Sequence, residues 1–293
     1  MSIVTSILNL TVGLLWNKAR DSTAAKLKDG DVSDEKFRKI VMRELDDVRT
    51  KLESLSRNDL LSSFTFLQEG VELLNASLDN SKLKQQAEQN RVNKGEILPI
   101  SDGVQCELFN KAFELAHSMK NLNISSDRQF MSAIERLKDG RKTATRAFCN
   151  EALSIQDRIF AAKVRIISEL LEQLESPETA ITGCLLFLKK LHNLPAIEQM
   201  FTVYLQGGIK SKLNEGERIE NIKSIMVINY VLFRYVSKFT SKSLDVLAWP
   251  AIQLADRSFR PILHWPEIST GHFMADDLAQ HPSGFFLYEA DIN

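Results

Sequence analysis

Gly140-Arg141-Lys142-Thr143 ends as a phosphate-binding loop ends, but Arg141 stands where the second glycine belongs and no upstream glycine fits. Without those glycines the backbone cannot close around a phosphate, so nucleotide hydrolysis is not expected. His272 and Asp276 stand four apart, with His264 and His281 close by. On a helix that pair would share one face, and the two further imidazoles could complete a metal site. Four polar residues on a surface segment explain the same pattern more simply, and no HExxH occurs, so no metal is expected. Cys149 and Cys184 with His117 or His192 are a possible nucleophile and base. Nothing local sets a thiol beside an imidazole, and small buried thiols are the better expectation. No GxGxxG and no GxSxG is present. The expectation is a non-enzymatic protein with no catalytic residue, no metal and no cofactor. An enzyme with a site that carries no motif is the distant alternative.

The elements that would have to position such residues are helical. The 293 residues are 44% apolar and 26% charged, which is too apolar for a disordered chain. Thirty-seven basic against 38 acidic residues give a net charge of −1. That excludes a globally basic nucleic-acid binder. Residues 207–242 hold seven basic and three acidic residues. That is a local excess only, so a solvated helix face is expected and nucleic acid is not expected as a partner. The cysteines Cys106, Cys149 and Cys184 are few, odd in number and far apart, which points to a reducing, cytoplasmic setting. Asn9, Asn75 and Asn123 each begin an N-x-[ST] triplet, which matters only in a secreted protein.

The first 17 residues carry no charged side chain. Polar interruptions at Ser2, Thr5, Ser6, Asn9 and Thr11 argue against a signal peptide or a membrane span. Ile3, Ile7, Leu10, Leu14 and the neighbouring stripe Leu8, Val12, Leu15 make a wide apolar helical face. Lys18, Arg20, Lys26 and Lys28 follow, opposed only by Asp21. A helix of this kind can lie in a membrane interface, with Trp16 at the boundary and Lys18 and Arg20 towards anionic headgroups. The candidate membrane-binding residues are therefore Ile3, Ile7, Leu8, Leu14, Leu15, Trp16, Lys18 and Arg20. The same face could simply sit in a bundle core. Both hold if the helix is sheltered at rest and released later.

Ser33 should cap a second helix carrying Phe37, Val41, Leu45, Val48 and Leu52. After a break at Arg57-Asn58-Asp59, Leu60, Phe64, Leu67, Val71, Leu74 and Leu78 repeat the spacing. Residues 79–103 are polar and read as a linker. Two stripes around Phe109 and Leu115 predict a buried helix. A further helix should start at Ser126-Asp127 and stop at Gly140. Ser154 with Asp157 resembles a capping box, and Ser176-Pro177-Glu178 should cap and restart a helix. Leu194-Pro195 restarts another, and a last long helix is expected over about 216–240. Beyond residue 242 lie four of the seven prolines, with Trp249, Phe259, Trp265 and Phe273. Rings and prolines together predict an extended arm anchored on the bundle.

The order of an apolar first helix and charged heptad helices with Arg43-Glu44-Leu45-Asp46-Asp47 resembles the N-terminal bundles of HeLo and mixed-lineage-kinase-like cell-death proteins. That resemblance covers about residues 1–125 and implies an auto-inhibited bundle that oligomerises and permeabilises membranes. Ala147-Phe148-Cys149-Asn150-Glu151-Ala152-Leu153 and Trp249-Pro250-Ala251 are similar to helical regions that precede NHL-type propellers in invertebrate proteins. Propeller repeats do not occur here, and neither family supplies catalytic residues. The expected class is all-α, a bundle of eight to ten helices with an aromatic, proline-rich arm. The expected division is an N-terminal bundle over 1–100, a second bundle packed on it over 101–242, and the arm over 243–293. The expected partners are another protein or a second copy of the chain, and an anionic membrane surface. A purely soluble scaffold or a bundle enclosing an apolar ligand is the alternative.

Overall fold

The computed structural model describes residues 3–16, 34–53, 58–92, 128–206, 214–240, 248–255 and 257–264. Within them the class is all-α. Helix α1 spans Ile3–Val12 and passes into a 3-10 turn at Gly13–Trp16. Helices α2 (Asp34–Glu53) and α3 (Asn58–Val92) follow. Then come α4 (Arg128–Cys149), α5 (Ile155–Glu172), α6 (Pro177–His192), α7 (Pro195–Gln206) and α8 (Glu215–Phe239). Among the described residues the only strands are β1 (Ile252–Gln253) and β2 (Ser258–Phe259), an antiparallel pair that sets Ile252 opposite Phe259.

The centre is α5. Its two adjoining apolar stripes leave little polar surface, so it is buried along nearly its whole length. It packs against α1, α3, α4, α6 and α8. Its start is the predicted cap: the Asp157 amide donates to Ser154 Oγ at 3.1 Å, and that hydroxyl donates to the Asp157 carboxylate at 2.6 Å. The turn before it is closed by the Ala152 amide donating to Asn150 Oδ1 at 3.0 Å. Arg158 Nε reaches back to the Phe148 carbonyl at 2.8 Å and satisfies an orphan acceptor at the end of α4.

The heptad stripes of α2 and α3 bury Val41, Leu45, Leu52, Leu60, Phe64, Leu67, Val71, Leu74 and Leu78. The two helices run antiparallel, because Arg38 pairs with Asp79 while Asp46 accepts from Gln68 Nε2 at 2.6 Å. They are separate helices, and Asn58-Asp59 opens the second. Contacts cross the boundary drawn at residue 100: α3 lies along α4, and α1 touches α5 and α8.

Four expectations change. Residues 79–92 continue α3 rather than forming a linker. They contain no glycine or proline, and Lys, Gln, Ala and Glu sustain a helix without an apolar stripe. Gly140 does not stop α4, which runs nine residues further to Cys149. Its role is close approach: an added Cβ would stand 3.3 Å from the Leu67 amide nitrogen and 3.4 Å from the Ser63 carbonyl oxygen. Ser176 caps α6 with its backbone carbonyl, which accepts from Thr179 and Ala180, and not with its side chain. Cys149 is exposed and only Cys184 is buried; Cys106 lies outside the described residues. The triplet at Asn75 lies within α3 with Asn75 and Ser77 buried, so it is no accessible acceptor. The predicted helix around Phe109 and Leu115 lies outside the described residues, as do Trp265 and Phe273.

Candidate functional site

Helix α1 was the strongest candidate in the sequence, and most of the described part of its wide face is enclosed, with Leu10 partly buried. Val4, Ile7, Leu8 and Leu14 have no exposed surface and Leu15 is buried. The face meets α2, α5 and α8, and the following turn also meets α5 and α8. Thr11 lies inside this face without cost, because its hydroxyl donates to the Ile7 carbonyl at 2.8 Å. Ile3 and Trp16 belong to the described backbone. Lys18 and Arg20 lie outside the described residues. Burying five such side chains stabilises the docked helix by roughly 8–15 kcal/mol, an upper bound against an extended chain. Any release must offset most of that. Among the described residues no helix is long and apolar enough to cross a membrane.

Among the described residues, those considered for catalysis do not converge. His192 ends α6 and Cys184 lies two turns earlier, each with its own partner. Asn229 Nδ2 stands 3.0 Å from His192 Nε2 and also donates to the Ile225 carbonyl at 2.9 Å. Trp249 Nε1 donates to Asn229 Oδ1 at 2.9 Å. Both amide hydrogens and the oxygen of Asn229 are therefore used, which fixes its orientation and places the His192 proton on Nδ1. Burial pushes the His192 pKa down to about 4, although the Ala251 and Pro250 backbone favours the charged ring. A neutral imidazole locked in place is a structural part, not a poised base.

Cys184 Sγ lies 3.5 Å from Glu169 Oε2, to which it donates. Burial, then the Glu169 charge, hold its thiol well above the usual range. A thiol raised in this way is a poor nucleophile. Glu169 is paired with Arg165 at 2.5 Å, and Arg141 of α4 reaches Glu172 at 2.5 Å. The Arg165 guanidinium also stacks 4.0 Å from the Phe187 ring centroid. These charges lock α4, α5 and α6 together in register.

Lys163 is buried in the core. It donates to Ser224 Oγ of α8 at 3.1 Å, and burial lowers its pKa to about 7. Its stripe position among Ile159, Ile166 and Ile167 was the available signal, as Asn229 was within the run Ile225–Phe233. Neither position marks a partner in the sequence, because the partners come from other helices.

Among the described residues no group of three or more His, Cys, Asp or Glu could hold a metal. His272, Asp276 and His281 lie outside the described residues, as does His117. The Glu-x-x-His spacing from Glu114 to His117 also lies outside them. A shallow cleft of about 440 Å³ between α5, α7 and α8 has mixed walls, with Met200 and Val203 beside Glu217 and Arg218. Compared with family models, curated proteins and solved structures, the chain matches none.

Proposed function

We propose that this is a non-enzymatic helical protein that works by oligomerisation and partner binding, with its first helix as the part that reaches an anionic membrane on activation. The setting we propose is the cytoplasm of a cell with an immune or cell-death response. The supporting observation is the placement of α1: its membrane-suited face is stored against α2, α5 and α8. Whole-chain architecture in this proposal is a bundle of eight to ten helices, divided near residues 100 and 242, with an aromatic arm behind it.

Leakage of dye from anionic liposomes tests the reading in both directions. Leu14→Ala leaves a cavity under α1 and weakens its docking by about 3 kcal/mol, so leakage should rise. Leu8→Glu puts a charge on the inserting face, so leakage should fall even though docking is also weakened. Equal behaviour of the two variants and the wild type overturns the proposal. A soluble oligomer whose light scattering is the same with and without lipid favours the scaffold reading instead.

A further inference from the structure

The cleft between α5, α7 and α8 has an unused amide on its floor. Asn221 of α8 is 4% exposed, and it lines this opening of about 440 Å³ beside Ile155, Met200 and Val203. Neither its Nδ2 nor its Oδ1 bonds a described residue, yet neither is sealed from solvent. Asn229, further along the same helix, is the contrast, for its amide hydrogens and its oxygen are all taken. An amide held so deep is disfavoured unless its bonds are made. We infer that this cleft binds a neutral heterocycle that carries a ring amide, a lactam or an imide, on one edge.

The chemistry follows from the amide itself. A carboxamide carries its donor and its acceptor on one planar carbon, so covalent geometry turns both towards the same ligand edge. That edge must offer an acceptor and a donor side by side. A carboxylate offers acceptors alone and would oppose Oδ1, and an amidinium offers donors alone and would oppose Nδ2. A trans peptide points its N–H and C=O in opposite directions, so one such unit meets only half of Asn221. A ring holds the amide cis and brings the two groups to one side. The lining charges, Glu217 and Arg218, cancel, which suits a neutral ligand. Ile155, Met200 and Val203 give the ring an apolar wall. A ligand that makes both bonds and covers that wall displaces water at a gain, whereas one that makes neither bond does so at a loss. The site is independent of the membrane reading.

Titration calorimetry on the full chain tests this with oxindole, N-methyloxindole, benzoate, benzamidine and N-acetylleucine methylamide as probes. Oxindole, a bicyclic lactam, should bind saturably and at least tenfold tighter than N-methyloxindole, which lacks the donor. It should also bind tighter than the anion, the cation and the trans amide. Asn221→Leu removes the amide with little change of volume. It should abolish oxindole binding while leaving the melting temperature unchanged or higher. Asn221→Asp presents acceptors alone, so its preference should pass from oxindole to benzamidine. The wild-type comparison stands whether or not either variant folds. The inference is overturned by no saturable binding of oxindole, by equal affinity for N-methyloxindole, benzoate or N-acetylleucine methylamide, or by unchanged affinity in Asn221→Leu.

Discussion

His192, Asn229 and Trp249 form one hydrogen-bonded chain across α6, α8 and the segment after residue 247. Its energetics turn on a neutral ring, since Nε2 must accept. The unfolded ring takes a proton near pH 6.5, whereas the folded ring resists until about pH 4. Between these values the unfolded state binds the extra proton, so stability is complete above pH 6.5 and falls as pH drops towards 4. The loss should approach roughly 3 kcal/mol over that window. Urea unfolding at pH 7, 5.5 and 4 measures it, and His192→Gln should flatten the slope by close to one proton. Lys163 has the same sign at higher pH: its folded pKa of about 7 lies below the unfolded value, so charging it opposes folding.

At the scale of elements, the seat of α4 on α3 depends on two residues without side chains. A Cβ on Gly70 would stand 2.7 Å from Leu137 Cγ, and one on Gly140 would press on the α3 backbone. Leu137 is fully buried and has no free direction to move. Helix propensity alone favours Gly70→Ala by about 1 kcal/mol. Overpacking should reverse the sign, for a net loss of about 1–3 kcal/mol. Gly216, in the first turn of α8, has open space around it, so Gly216→Ala should stabilise by up to about 1 kcal/mol. Thermal unfolding of the two variants side by side gives opposite shifts if packing, not propensity, decides at Gly70.

Across the whole molecule, the segment 248–264 completes the core rather than trailing from it. Trp249 meets Phe233 at 5.8 Å between ring centroids, and Phe259 meets Phe201 of α7 at 5.1 Å. Ile252 is fully buried. Trp249→Phe keeps most of the ring area but strands the Asn229 oxygen, for an expected loss of about 1–2 kcal/mol. Trp249→Ala adds a cavity and should cost about 3–5 kcal/mol. Denaturant midpoints that are equal for the two variants would show that the indole hydrogen bond, not the ring, carries the anchoring. This anchoring and the enclosure of α1 belong together, since α8 carries Asn229 and also contacts the first helix.

Much of the fold was legible because helices announce themselves locally. The stripes of α2, α3, α5 and α8, the Ser154 cap and the proline starts at Pro177 and Pro195 all depend on residues a few positions apart. The wide face of α1 was legible for the same reason, but what covers it was not. Its cover is built from α2, α5 and α8, and no local rule connects those segments. Gly140 misled for a related reason. Its lack of a side chain predicts a helix end from the chain alone, whereas in the bundle that lack admits the α3 backbone. The polar residues Arg38, Asn75, Lys163 and Asn229 are buried on the inner faces of their helices. Which of them found partners was decided only when distant helices packed together, because a buried polar group takes its meaning from the groups that surround it.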